Sequence, residues 1–208
     1  MQFTDYRLEA RGLTCRRGAA QIFEAASFAL AGGGALIVRG ANGSGKSSLL
    51  RLLGGLARPA AGEIVFSRAG EPYDEIAPYA HYLGHLDALN PSMTVCETLQ
   101  FHATLLGNAK ADITAVLARV GLTALNTAPV RVLSAGQRRR LAFARLLAAA
   151  RPLWLLDEPS DSLDTQGQAL VADIIARHRA GGGIAVIATH DDSSAPGAMQ
   201  LRLLPVMP

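Results

Sequence analysis

The feature that most constrains this chain is the segment at residues 40–47, which reads Gly-Ala-Asn-Gly-Ser-Gly-Lys-Ser. It fits the pattern G-x-x-x-x-G-K-S and stands between an apolar run at 35–38 and a Leu-rich stretch at 48–53. A strand, a glycine loop and a helix in this order form a phosphate-binding loop, because glycines let backbone N–H groups turn inward and the helix adds its positive N-terminal end. The sequence therefore predicts a site for the phosphates of a nucleotide.

Each residue type in this phosphate loop has an expected task. We expect backbone N–H groups to surround the phosphates, Lys46 to reach the terminal phosphates, and Ser47 to place its hydroxyl on Mg²⁺. A glycine-rich stretch that precedes Lys-Ser by chance is the alternative, and the flanking strand and helix disfavour it. The predicted phosphate-binding residues are Gly40, Ala41, Asn42, Gly43, Ser44, Gly45, Lys46, Ser47 and Ser48.

Composition narrows the class of protein. The 208 residues are 50% hydrophobic, which suits one domain with a smaller lobe, and no apolar segment reaches the length of a membrane span. The first eleven residues lack the apolar core of a signal peptide, so we expect a cytosolic chain.

Two distant cysteines, Cys15 and Cys96, support neither a disulfide framework nor a zinc site. The net charge of +3 indicates a mildly basic surface, and we expect no nucleic-acid partner.

The hydrophobic pattern predicts an α/β fold. Short β-like stretches between residues 6 and 30 predict an antiparallel sheet edge ahead of the phosphate loop. Helical spacing between 94 and 132 predicts an inserted helical lobe, with helices that only cover the sheet as the alternative. The unbroken apolar run at 152–156 is typical of a parallel sheet covered on both faces. Other predicted elements are strands at 63–66, 79–83, 184–188 and 201–206, and helices at 133–151 and 166–179.

Polar residues follow the predicted strands. They are therefore expected at the carboxyl ends of the parallel strands, where ligands of such sheets bind. Asp157 suits a partner of Mg²⁺, and Glu158, one residue farther out, suits a general base on an attacking water. Capping of the next helix is the alternative for this acidic pair, and the upstream phosphate loop favours the catalytic role. Gly84-His85 and Thr189-His190 follow two other strands.

The order of the motifs resembles that of the ATP-binding-cassette (ABC) ATPases. Residues 133–137, Leu-Ser-Ala-Gly-Gln, are similar to the signature motif of that family, 162–164 to its D-loop, and Thr189-His190 to its switch histidine. The resemblance covers nearly the whole chain. It implies an ABC ATPase fold in a single nucleotide-binding domain at 1–208: a P-loop NTPase core with a parallel sheet at 1–93 and 151–208, an N-terminal antiparallel β edge, and a helical lobe at about 94–150.

The resemblance also implies the ligands and partners. ATP and Mg²⁺ would be bound between two copies of the chain, each ATP held by the phosphate loop of one copy and the signature segment of the other. An integral membrane permease would be driven from the cytoplasmic face of the inner membrane, where the chain would be peripheral. The site residues so implied are Lys46, His85, Glu158 and His190 for catalysis, Ser134, Gly136, Gln137 and Asp164 with the phosphate loop for ATP, and Ser47, Asp157 and His85 for the metal.

Two positions depart from the family pattern. Cys15-Arg16-Arg17 stands where the family has an aromatic residue that stacks on adenine, which puts adenine selectivity in question. His85 stands where the family has a glutamine, and imidazole brings a titration near physiological pH that glutamine lacks.

Within the family, the chain is most similar to the ATP-binding subunits of haem exporters in cytochrome c maturation, through 8–13, 82–85 and 133–145. The motor of another small exporter and a soluble cassette ATPase that acts on nucleic acid or ribosomes are the alternatives. A P-loop kinase or GTPase would leave the signature segment and His190 unexplained. We expect Leu86, Leu89 and Met93 to contact the membrane subunit, with packing inside the lobe as the alternative.

Overall fold

A computed structural model describes residues 2–18, 20–190 and 195–204. The chain divides into two compact units. The first comprises Met1–Gly84, Arg151–Pro159 and Ile174–Pro208, and the second comprises His85–Ala150 and Ser160–Asp173. None of the helices in the described ranges combines the length and the apolar character that a membrane crossing requires.

The strands of the first unit form two sheets. In chain order they are β1 (Tyr6–Arg17), β2 (Ala20–Ala31), β3 (Ala35–Arg39), β4 (Ala61–Arg68), β5 (Glu71–Pro72), β6 (Ala80–Leu83), β7 (Leu153–Asp157), β8 (Ile184–Ala188) and β9 (Met199–Arg202). The antiparallel sheet has the order β2-β1-β4-β5, and the parallel sheet has the order β6-β7-β8-β3-β9. The predicted antiparallel edge and parallel sheet are therefore both present.

Three strands differ in length from the sequence pattern by more than one residue: β4 (Ala61–Arg68) is two residues longer at each end than the predicted 63–66, and β1 and the last strand also differ. β1 runs to Arg17, through the predicted turn at 16–18, because its pairing with β2 continues to Arg17 opposite Ala20. The last strand pairs with β3 over Met199–Arg202 and ends earlier than the predicted 201–206, of which residues 205 and 206 lie outside the described ranges. β7 and β8 are buried along their whole length, as expected of central parallel strands.

The helices are α1 (Lys46–Leu53), α2 (Val95–Leu105), α3 (Ile113–Arg119), α4 (Ala135–Ala148) and α5 (Thr165–Ala180). In the second unit, α2 and α4 both begin with a capping box. Thr94 caps with Glu97, and Ser134 caps with Gln137, so each pair satisfies two backbone N–H groups of the first turn. The apolar faces of α2 and α3 pack against α4 around Leu99, Leu117, Leu141 and Phe143, which are buried.

The second unit includes the loop that follows β6. Arg139 of α4 forms an ion pair with Asp87 at 2.9 Å, and Arg145 of α4 donates to the backbone carbonyls of Asp87 and Ala88. These contacts tie the loop to α4, so the unit begins at His85, whereas the sequence predicts a lobe from about 94. The division of the chain into functional domains stays a prediction.

Candidate functional site

The phosphate loop connects β3 to α1 and has a backbone that requires glycine. Gly43 and Gly45 have φ angles of +83° and +98°, in the left-handed region that side chains disfavour. A Cβ at Gly45 would lie 2.5 Å from Ile22 and 2.8 Å from Phe23 of β2. A Cβ at Gly40 would overlap the Ser44 hydroxyl and lie 2.8 Å from the Leu203 carbonyl oxygen. The glycines thus allow both the turn and the close approach of neighbouring chain.

Two buried polar side chains of this loop fit an anionic ligand. Ser44 is 1% exposed, and no described residue forms a hydrogen bond with its buried hydroxyl. Lys46 Nζ donates to the Gly40 carbonyl at 2.9 Å and lies 3.5 Å from the Ala41 carbonyl, so the ammonium faces the loop itself. An orphaned hydroxyl and an ammonium beside the N-terminus of α1 suit phosphate oxygens. Ala41 and Asn42 are exposed, and Ser47 and Ser48 are half-buried.

Lys46, Glu158 and His190 lie together where β7 and β8 end. His190 Nε2 is 3.5 Å from Lys46 Nζ and 3.4 Å from Glu158 Oε1. The sequence places these residues after three separate apolar runs, and the parallel order β7-β8-β3 brings the three strand ends side by side. A cation, a carboxylate and an imidazole at one point can bind phosphate, accept a proton and orient a water molecule.

Asp157 ends β7 and is 4% exposed. Its carboxylate and the Ser47 hydroxyl are oxygen ligands of the kind that Mg²⁺ prefers. No group of three or more His, Cys, Asp or Glu side chains in the described ranges could hold a metal ion by itself. Mg²⁺ is usually held by one or two protein ligands together with water and substrate phosphates.

Two residues beside this site were not singled out by sequence reasoning. Burial raises the pKa of Tyr82, and the neighbouring Asp157 carboxylate raises it further, while a hydrogen bond to Arg51 opposes the shift. Arg39 donates to the backbone carbonyl of His190 at 3.0 Å and to Gln200 at 3.1 Å, and so positions the histidine's main chain. Tyr82 lies within an apolar strand and Arg39 ends one, so the sequence pattern gives neither residue a role at the site. Their position beside the site follows only from the order of the strands in the sheet.

The signature segment and the D-loop segment meet inside the second unit. Gln137 N–H donates to Ser134 Oγ at 3.2 Å, and Ser134 N–H donates to Gln137 Oε1 at 2.9 Å. A Cβ at Gly136 would lie 3.2 Å from the carbonyl oxygen of Ser162, which itself has a φ of +64°. Asp164 accepts from the Gly167 N–H at 2.8 Å and so stabilises the start of α5.

His85 opens the second unit and is largely exposed. Its Nδ1 lies 3.9 Å from Asp161 Oδ2, and its side chain is 74% accessible. The structure therefore pairs it loosely with a carboxylate, and its part in metal binding stays a prediction. The three residues expected to contact the membrane subunit differ in exposure: Leu86 is 80% exposed, while Leu89 and Met93 are half-buried.

Comparison with known proteins places this geometry in a family. The sequence profile of the ABC transporter family matches residues 23–161. The chain is 51% identical to the cytochrome c biogenesis ATP-binding export protein CcmA of Rhodopseudomonas palustris (strain HaA2), over 88% of this chain and 92% of that one. It is 46% identical to the protein of the same name in Paramagnetospirillum magneticum, over 96% of this chain and 95% of that one.

Solved structures match at lower identity and therefore bear on the fold alone. The putative ABC transporter ATP-binding protein from Pyrococcus furiosus superposes with a TM-score of 0.82 at 23% identity, covering 95% of this chain and 97% of that one. The structure of cbiO1 from Clostridium perfringens, part of the ABC transporter complex cbiONQ, gives a TM-score of 0.75 at 24% identity over 90% and 79% of the two chains. The predicted fold is confirmed.

Proposed function

The chain belongs to the ABC transporter family, within the group of cytochrome c biogenesis ATP-binding export proteins, and on this premise we propose that it drives the export of haem for cytochrome c maturation. ATP hydrolysis coupled to transport is the activity of this family. Haem is the proposed cargo because c-type cytochromes carry it and the relatives compared above are named for cytochrome c biogenesis. The motor of another small exporter is the alternative.

The observation that carries the proposal is the meeting of Lys46, Glu158 and His190 beside the glycine loop. When bound, ATP supplies the phosphoanhydride bond whose hydrolysis releases free energy. The ammonium of Lys46 would leave the loop carbonyls and neutralise phosphate charge. Glu158 would accept the proton of the attacking water, and His190 would hold that water and the developing charge through Nε2. Ser47 and Asp157 would hold Mg²⁺.

We propose that a second copy of the chain completes each site. Ser134 Oγ accepts the N–H of Gln137, so its own hydroxyl proton remains available to donate, beside the positive N-terminus of the 14-residue helix α4. These are neutral donors suited to phosphate oxygens. Ser134, Gly136, Gln137 and Asp164 of one copy would thus act on ATP in the phosphate loop of the other.

The membrane permease would dock on the second unit, at the cytoplasmic face of the inner membrane. Leu86 is 80% exposed, and Leu105 of α2, in the same unit, is 66% exposed. Large apolar side chains that face solvent are candidates for such an interaction surface. Leu89 and Met93, which are half-buried, would contribute to both the lobe's own packing and this surface.

Complementation tests the cellular role. In cells whose own copy is deleted, the wild-type chain is expected to restore haem-containing c-type cytochromes, and Lys46→Ala is expected to fail because it removes the phosphate-facing ammonium. Lys110→Ala is the matched control, since Lys110 is exposed and outside the loop. Haem staining of membrane proteins gives the readout. Restoration by Lys46→Ala, or normal cytochromes c in the deletion strain, would refute the proposed function.

A further inference from the structure

The side chain of His190, which would hold the attacking water, is itself held weakly. Its imidazole is 62% accessible, so packing fixes little of its position. The ring lies 3.4 Å from Glu158 Oε1 and 3.5 Å from Lys46 Nζ, and both distances exceed that of a well-formed hydrogen bond. An exposed ring with long contacts is located mainly by the backbone that carries it. The groups that hold the main chain of His190 therefore decide how well Nε2 is placed for the reaction.

The main chain of His190 lies just beyond the end of a strand. β3 and β8 pair as far as Val38 opposite Ala188, and the Thr189 N–H donates to the Val38 carbonyl at 3.3 Å. His190 follows one residue later. Arg39 is the last residue of β3, and its guanidinium donates from Nη1 to the His190 carbonyl at 3.0 Å. This side chain thus extends the attachment of the chain after β8 to β3 by one residue.

Arg39 is also fixed from the other side, by β9 and the residue that follows it. Its Nε donates to Gln200 Oε1 at 3.1 Å, and its backbone carbonyl accepts the Leu203 N–H at 2.8 Å. A guanidinium is planar, so hydrogen bonds from Nε and from Nη1 together set the orientation of the whole group. Because the donor is charged, they are stronger than hydrogen bonds between neutral groups. One side chain thus joins the carboxyl ends of the neighbouring strands β8, β3 and β9.

We propose that Arg39 and Gln200 are positioning residues for the hydrolysis of ATP. Gln200 orients the guanidinium of Arg39. Arg39 in turn holds the main chain of His190, so that Nε2 stays beside the carboxylate and the ammonium of the site. The inference rests on the proposed role of His190 and adds the residues on which its placement depends. Because neither residue is expected to touch the nucleotide, their substitution should slow the chemical step without weakening ATP binding.

Steady-state ATP turnover of the full chain tests the role of Arg39. Arg39→Met keeps the length of the side chain and removes its donors. We expect kcat to fall by about 10- to 100-fold, the effect of a displaced catalytic group, while KM for ATP stays unchanged. Arg58→Met, at an exposed arginine of the same unit, is the matched control and should match wild type.

A pair of substitutions at Gln200 tests the second link. Gln200 is exposed, so its variants are expected to fold. Gln200→Leu removes the oxygen that accepts from Arg39 and should lower kcat by about 2- to 10-fold, the free energy of one hydrogen bond. Gln200→Glu keeps an acceptor oxygen and should retain the wild-type kcat. Wild-type turnover by Gln200→Leu would overturn the role of Gln200.

The His190→Ala background separates positioning from an independent role of Arg39. If Arg39 acts through His190, Arg39→Met should cause no further loss of kcat in the His190→Ala chain, because the side chain that it positions is gone. Single-turnover release of labelled phosphate measures the slow rates of these variants. The same fold-loss in both backgrounds would overturn the inference and leave the role of His190 standing.

The remaining outcomes separate the inference from the proposed function. Wild-type turnover by Arg39→Met would overturn the inference alone. A raised KM with unchanged kcat would place Arg39 on the nucleotide and overturn its positioning role. Wild-type turnover by His190→Ala would overturn the proposed role of His190 together with the inference. Absence of ATP hydrolysis by the wild-type chain would overturn the ATPase mechanism and the inference together.

Discussion

Glu158 has a backbone conformation that residues other than glycine seldom adopt, with a φ of +46° directly after β7. Its N–H donates to the Ala188 carbonyl of β8 at 2.8 Å, and its carboxylate lies 3.4 Å from the His190 ring. Such conformations cost about 1 kcal/mol or more and persist where the surroundings hold them. The hydrogen bond to β8 therefore keeps the carboxylate aimed at His190, which is the arrangement that a general base requires.

His178 makes folding stability depend on pH. Its ring stacks on Trp154 with centroids 3.9 Å apart, and burial lowers its pKa to about 4, while carbonyl hydrogen bonds oppose part of the shift. In the unfolded chain the pKa is about 6.5, so the unfolded state binds the proton first as pH falls. The stabilisation is complete above pH 6.5 and decreases as pH falls toward 4, by about 3 kcal/mol in total.

Urea unfolding of wild type and His178→Phe between pH 7.5 and 4.5 measures this contribution. Phenylalanine keeps a ring against Trp154 without a titrating group, so the variant should lose less stability over this range than wild type. The difference between the two curves isolates His178 from His102, whose pKa is also lowered to about 4, by burial and then by Arg145. Parallel curves would show that His178 does not titrate differently in the folded state.

At the scale of elements, the sequence predicts the strands and helix starts that depend on a local pattern of residues. Unbroken apolar runs located β7 and β8, and with them Asp157 and His190. Ser-x-x-Gln marked the start of α4 because a capping box is a local motif. The ion pair between Asp87 and Arg139 could not be predicted, since its partners lie 52 residues apart and each is an ordinary charged residue in the sequence.

That ion pair should be a large contributor to the second unit. Arg139 is 3% exposed and Asp87 holds it at 2.9 Å. Asp87→Ala leaves a buried guanidinium with less compensation, and we expect a loss of about 3 kcal/mol in the free energy of unfolding, the lower end for a broken buried pair because Asp87 is partly exposed. Asp74→Ala, at an exposed aspartate, is the control, measured by the same urea unfolding.

A second substitution separates charge from packing at this position. Arg139→Leu in the Asp87→Ala background removes the buried charge and should regain part of the lost stability, since apolar replacements of buried ion pairs are often neutral. An Asp87→Ala chain as stable as the Asp74→Ala control would show that the pair contributes nothing measurable.

At the scale of the whole molecule, the two units hold different parts of one proposed reaction. The first unit carries the phosphate loop, Asp157, Glu158 and His190, and the second carries the signature segment and the exposed Leu86. Residues of the second unit that the family resemblance assigns to ATP are engaged within their own unit in capping α4 and α5. Completion of the reaction by a second copy and its coupling to the permease remain proposals.

ATP turnover by the Glu158→Gln chain tests the central claim most directly. Glutamine keeps the shape of the side chain and cannot accept a proton at neutral pH, so we expect turnover to fall by about 10²–10⁴-fold, the contribution of a positioned general base, while ATP binding is retained. Glu71→Gln, an exposed glutamate of β5, should match wild type. Wild-type turnover in Glu158→Gln, with intact binding, would contradict the assignment of Glu158 as the base and with it the proposed catalytic site.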